Sequence, residues 1–274
     1  MRNNLIFLAI TFGLLAGAIV WKNNQSTSEI EIEVVEEDEQ REIIVAAKNI
    51  SDAPDFSLIT DIQEKKSTFF DYLKPGVALE NARIIKERSR LEKIQTRFES
   101  GELTSEDTSY AKRLGDLYHA DLSSEGVTEQ WLDRMFHRVD VLPEALVLTQ
   151  AAKESGWGTS RFATKANNYF GQWCYSAGCG VVPEHRTDGM THEVAKFSSV
   201  QESIHRYFMN VNRNRAYQEL RDIRFELHSN NQDLLAIETA LELTNGLIRY
   251  SERGEPYVLE LQSMIRFNQP FWSK

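Results

Sequence analysis

Residues 143–155, PEALVLTQAAKES, constrain this chain more than any other stretch. Proline suits the first turn of a helix, where its missing N–H has no partner to lose. Ala145, Leu146, Val147, Leu148, Ala151 and Ala152 follow at spacings that cover almost the whole circumference. A helix apolar nearly all round has to be buried, so other elements must surround it. Gly156 supplies a C-terminal stop. Glu154 therefore falls in the last turn of a buried helix. Desolvation and the negative end of the helix macrodipole both favour its protonated form, which is the state a general acid needs.

The chain has 274 residues, 41% of them apolar, enough for one good-sized domain with appendages or two small ones. Two cysteines cannot form the framework of a disulfide-stapled mini-protein. The net charge of −10 argues against a nucleic-acid binder that relies on a basic field. Most of that charge is local. Residues 29–42 contain eight acids and one arginine, −7 of the total, and read as a solvated, self-repelling stalk.

Upstream, Arg2 precedes an uncharged run from Leu5 to Trp21 that contains the A-x-A pattern of residues 16–18. This is a signal peptide or a retained inner-membrane anchor, and either one implies export. Beyond Pro54 the pattern becomes helical. Segments 57–73 and 77–99 are expected as two helices broken at Pro75-Gly76, with further helices from Thr104 to Tyr118 and Thr128 to Val139. The expected organisation is leader 1–24, acidic disordered stalk 25–55, helical lead-in 56–125 and catalytic domain 126–274.

Downstream of Glu154 come Ser155-Gly156-Trp157-Gly158, then Ser160-Arg161-Phe162-Ala163, then Asn167-Asn168-Tyr169-Phe170-Gly171-Gln172-Trp173. Glycines admit close backbone approach, amides offer paired donors and acceptors, and aromatic faces stack on sugar C–H surfaces. The stretch AAKESGWGTSRFATKANNYFGQW resembles the glucosaminidase family of peptidoglycan hydrolases, in its Bax-like branch. The resemblance implies a mainly α, lysozyme-like α+β catalytic domain with a small β-hairpin flap, preceded by the helical lead-in. It also implies cleavage of the β-1,4 bond between N-acetylglucosamine and N-acetylmuramic acid in peptidoglycan glycan strands, with Glu154 as catalytic acid. Trp157, Asn168, Tyr169, Phe170, Gly171 and Trp173 match substrate-cleft positions. Lytic transglycosylases share the E-S start but continue into A-x-G-L-M-Q, which this chain lacks. A lytic transglycosylase and a non-catalytic glycan-binding module remain the alternatives.

Two short strands, at Val181-Val182 and 194–197, suggest the flap, which carries Glu184 and Glu193. In related glucosaminidases a flap glutamate lies about a dozen residues before a phenylalanine. Glu184 fits that spacing to Phe197, with Pro183 where the family usually has threonine, so Glu184 is preferred to Glu193 as second carboxylate. Tyr257 matches a tyrosine that lines the family's site just before the terminal helix. Cys174 and Cys179, in CYSAGC, can close a small loop disulfide in an exported chain, free thiols or a metal being the other readings. Thr191-His192-Glu193-Val194-Ala195-Lys196 begins like H-E-x-x-H but ends in lysine. There is no nucleotide-binding or serine-hydrolase motif, so no cofactor and no metal are expected.

Overall fold

The computed structural model describes residues 52–272 apart from 185, 187 and 188. The expected leader, and the expected stalk up to residue 51, lie outside the described residues. Among the described residues, no helix is long and apolar enough to cross a membrane.

Helix α1 runs from Ile62 to Ser100, capped by Asp61, whose carboxylate accepts the Glu64 N–H at 2.8 Å. It passes straight through Pro75, correcting the expected break at Pro75-Gly76. A proline inside a helix removes one hydrogen bond and crowds the preceding turn. Here the packing on both sides holds the helix together: Phe69, Phe70 and Leu73 before the proline, and Val77, Ile84, Leu91 and Ile94 after it, are all buried. Helices α2 (Ser105–Tyr118) and α3 (Glu129–Arg138) follow. The first opens with a reciprocal capping box between Thr104 and Asp107.

Helix α4 (Glu144–Ser155) is the central element, buried from Ala145 through Ala152 and packed against α1, α8 (Ile237–Leu243) and α9 (Glu255–Phe267). Its entry is clamped from two sides. Asn81 on α1 donates through Nδ2 to the Leu142 carbonyl at 2.9 Å and accepts the Leu142 N–H at 3.0 Å. Buried Arg224, on α7 (Gln218–Ser229), donates to the carbonyls of Asp140 at 2.8 Å and His137 at 3.0 Å. Buried hydrogen bonds of this kind hold a connection rigidly.

After the short α5 (Arg161–Ala166) come three strands: β1 (Trp173–Cys174), β2 (Gly180–Val181) and β3 (Glu193–Ala195). They form one antiparallel sheet in the order β1-β3-β2, with Trp173 and Val181 both opposite Val194. The hairpin expected from the sequence is thus a three-stranded flap with an unforeseen first strand. Helix α6 (Val200–Arg213) returns to the core, and a final turn, α10 (Gln269–Trp272), packs Phe271 and Trp272 on Phe70. One hydrophobic core runs from Phe56 to Ile265. The chain is mainly α and lysozyme-like, with the helical lead-in joined to that same core.

Candidate active site

Glu154 occupies the last turn of α4, and its position depends on how the helix ends. Gly156, Trp157 and Gly158 all have left-handed φ values, 57°, 57° and 76°. Such values cost a non-glycine residue on the order of 1 kcal/mol. At Trp157 packing offsets this: its ring meets Phe69 at 5.6 Å and Phe70 at 5.3 Å, and Lys66 Nζ lies 5.3 Å from its centroid. Gly158 has no alternative, since a Cβ there would stand 2.3 Å from the Phe56 ring. The Gly158 N–H donates to Ser155 Oγ at 2.8 Å and closes the turn.

The Glu154 carboxyl is half-buried. Its Oε1 accepts the Tyr257 hydroxyl at 2.8 Å. On the other side, the nearest atom to a Cβ built on Gly171 would be Glu154 Oε2, at 3.5 Å. Burial pushes the Glu154 carboxyl above the usual carboxylate range; the Tyr257 hydrogen bond and Lys153 pull it partly back. Burial and the adjacent Glu154 raise the Tyr257 phenol, so Tyr257 keeps its proton and acts as a donor. Lys153 Nζ is engaged with Glu260 Oε1 at 2.7 Å.

Several residues matched to the cleft lie in the core. Asn168 is buried, donating to the Gln172 and Ala195 carbonyls at 2.8 and 2.9 Å and accepting the Gln172 N–H at 3.0 Å. Tyr169 is buried beside Phe69, and Phe170 stacks on Tyr207 with centroids 4.2 Å apart. These side chains form the wall on which the site stands, and Gly171 is the point where that wall meets the carboxyl. Trp173 differs. It is 52% exposed, with its ring 3.8 Å from that of His192. Tyr175, overlooked in the sequence, is 77% exposed two residues further along the flap.

The flap separates its two glutamates by environment. Glu193 is buried, and its carboxylate accepts the N–H groups of Gly178 at 3.0 Å and Gly180 at 2.8 Å, which lower its pKa. It thereby supports the loop closed by the Cys174–Cys179 disulfide. Glu193 and the two sulfurs lie close together, but the sulfurs are bonded to each other and offer no thiolate to a metal. Glu184 is on the surface, 69% exposed, with Oε1 3.2 Å from Arg161 Nη1. Arg161 also donates to the Val182 carbonyl at 3.1 Å, fastening the flap to the start of α5.

Sequence reasoning missed Gln150, Tyr207 and Tyr250. Tyr250 lies parallel to Tyr257 at 5.7 Å and donates to the Phe170 carbonyl at 2.9 Å. Gln150 donates to the Tyr257 hydroxyl at 3.0 Å. The one available signal was position: Gln150 is an amide a turn before Glu154 in a helix apolar over most of its length.

Comparison with known proteins places the chain in a family. The glucosaminidase family model, described as mannosyl-glycoprotein endo-beta-N-acetylglucosaminidase, matches residues 130–266. Protein bax of Escherichia coli (strain K12) is 31% identical over 219 residues, covering 80% of this chain and 75% of bax. No solved structure matches. A family match over half the chain, and a relative aligned over most of it, establish that the protein is a Bax-like member of the glucosaminidase family.

Proposed function

We propose that this protein is an exported peptidoglycan hydrolase that cleaves the β-1,4 bond between N-acetylglucosamine and N-acetylmuramic acid, with Glu154 as general acid. The observation that carries the reading is the state of Glu154. It is a half-buried carboxyl held towards its protonated form, gripped on one oxygen by Tyr257 and faced on the other by a glycine. An acid raised in that way is better able to hold a proton and hand it to a glycosidic oxygen. Gly171 leaves room for a sugar to approach, and exposed Trp173 offers a face for it to stack on.

In this reading the C1–O bond breaks as the Glu154 proton passes to the departing sugar oxygen. Water adds to C1, giving up its proton to the second carboxylate. Glu184 is proposed for that role because it is exposed on the flap, whereas Glu193 is buried and committed to two backbone N–H groups. Tyr257 acts as a positioning donor. The disulfide supports export, since such bonds persist in oxidising compartments, and residues 1–24 would supply the signal or anchor.

The test is product analysis on purified sacculi. Wild-type protein should release reducing ends, and Glu154→Gln should lower the rate at least about 100-fold. Anhydro products would assign the chain to lytic transglycosylases instead. Muropeptide binding without turnover would make it a non-catalytic module.

A further inference from the structure

Gln150 sits one turn before Glu154 on α4, completely buried. An amide in such a place is tolerated only when both its ends are paired. Its Nε2 donates to Tyr257 Oη at 3.0 Å, and its Oε1 accepts the hydroxyl of Tyr207 on α6. Tyr257 Oη in turn donates to Glu154 Oε1. Each link has a direction. An amide nitrogen has no lone pair to offer, so Tyr257 accepts from Gln150 and directs its single proton at the carboxyl. The Tyr207 hydroxyl keeps the amide turned the right way. The rings that carry this chain are braced: Tyr207 stacks on Phe170, and Tyr257 stacks on Tyr250.

We propose that Gln150 is a positioning residue which, through Tyr257, confines the proton of Glu154 to Oε2, the oxygen facing Gly171. With Oε1 taking the Tyr257 hydrogen bond, the acid's own hydrogen is favoured on Oε2, since the carbonyl-type oxygen of a carboxyl group is the better acceptor. It then points to the side of the carboxyl that a substrate can reach. The place of the proton follows from this geometry alone; its value in turnover rests on the hydrolase reading above.

The groups that face Glu154 are Tyr207, Tyr217, Tyr250, Tyr257, Lys153 and Glu260. Burial raises the pKa of all four phenols, so they stay neutral. Lys153 and Glu260 are paired with each other. The hydrogen-bond chain is therefore the element around Glu154 that a neutral substitution at Gln150 would alter.

The test is a carboxyl NMR titration of the full chain, with the Glu154 resonance assigned by its loss in Glu154→Gln. Gln150→Met keeps the volume but removes both hydrogen bonds. Without the amide polarising Tyr257, ionised Glu154 is less well stabilised, and its titration should move up by about half a pH unit. Tyr207→Phe, which deletes one hydroxyl, should move it in the same direction by less, and it decides alone if Gln150→Met fails to fold. An unmoved titration in the folded variants would overturn the proposal, because a merely structural glutamine would leave it in place. In parallel, the alkaline limb of reducing-end release should follow the titration. If wild-type protein releases no reducing ends while the titration still shifts, the hydrolase reading fails and the positioning of Glu154 by Gln150 through Tyr257 stands.

Discussion

Gly171 faces the Oε2 oxygen of Glu154 so closely that a single added methyl group would be in van der Waals contact with it. The wall of the candidate site is therefore bare backbone where it meets that oxygen, the one the proposed reaction uses. Gly171→Ala would place a methyl 3.5 Å from that oxygen, and at φ 63° it would also strain the backbone by about 1 kcal/mol. Turnover on sacculi is expected to fall at least about 10-fold, with a melting temperature only a few degrees lower. An unchanged rate would mean that the acid works through its other face.

Glu154 should weaken the fold it serves. Its pKa in the folded state is raised by burial, so the unfolded chain ionises it first as pH rises. Native stability is then lost across the window from the ordinary carboxylate range up to the raised value. Glu154→Gln keeps an acceptor for Tyr257 and carries no charge. It should be more stable than wild type at neutral pH, the two converging as pH falls below the ordinary carboxylate range. Urea denaturation at both pH values checks this. The rate should respond in the same window, declining as pH rises through the Glu154 pKa.

Removing residues 56–125 should abolish the fold. Phe69, Phe70, Leu73, Val77, Ile84, Leu91 and Ile94 all come from this region and are buried in the common core. A chain beginning near residue 126 should be insoluble or lack near-UV circular dichroism, with no turnover on sacculi. A soluble, more active fragment would instead mark the lead-in as an inhibitor.

On the flap, Glu184→Gln should reduce turnover with little change in melting temperature, because its carboxylate is mainly in solvent. Glu193→Gln should act through structure, lowering the melting temperature as the Gly178 and Gly180 N–H groups lose a charged acceptor. A larger loss of turnover at Glu193 in a protein of unchanged stability would exchange their roles. Replacing both Cys174 and Cys179 by serine should cost about 2 kcal/mol at most, since the loop is short.

What could be read from the sequence followed from local physics. An apolar circumference bounded by Pro143 and Gly156 specifies one buried helix and places Glu154 at its end, where the structure has it. The helix starts read at Thr104 and Thr128 likewise prove real. Pro75 misled because local geometry predicts a break, while burial on both sides of the proline comes from elements remote in sequence. Tyr169 and Phe170 were hard to place for a related reason. An aromatic side chain suits a sugar platform and a core equally well, and only the positions of Phe69 and Tyr207 decide which it becomes. Gln150 stayed hidden because its partners, Tyr207 and Tyr257, lie 57 and 107 residues further along.

Phe56 fills the space above Gly158, four residues from Glu154, though it lies far upstream of the segment that matches the family. Anyone recombining enzymes of this kind would have to exchange the stretch from Phe56 onward as one cassette. A graft cut at the family boundary would leave the left-handed turn after Glu154 without the aromatic rings packed over it.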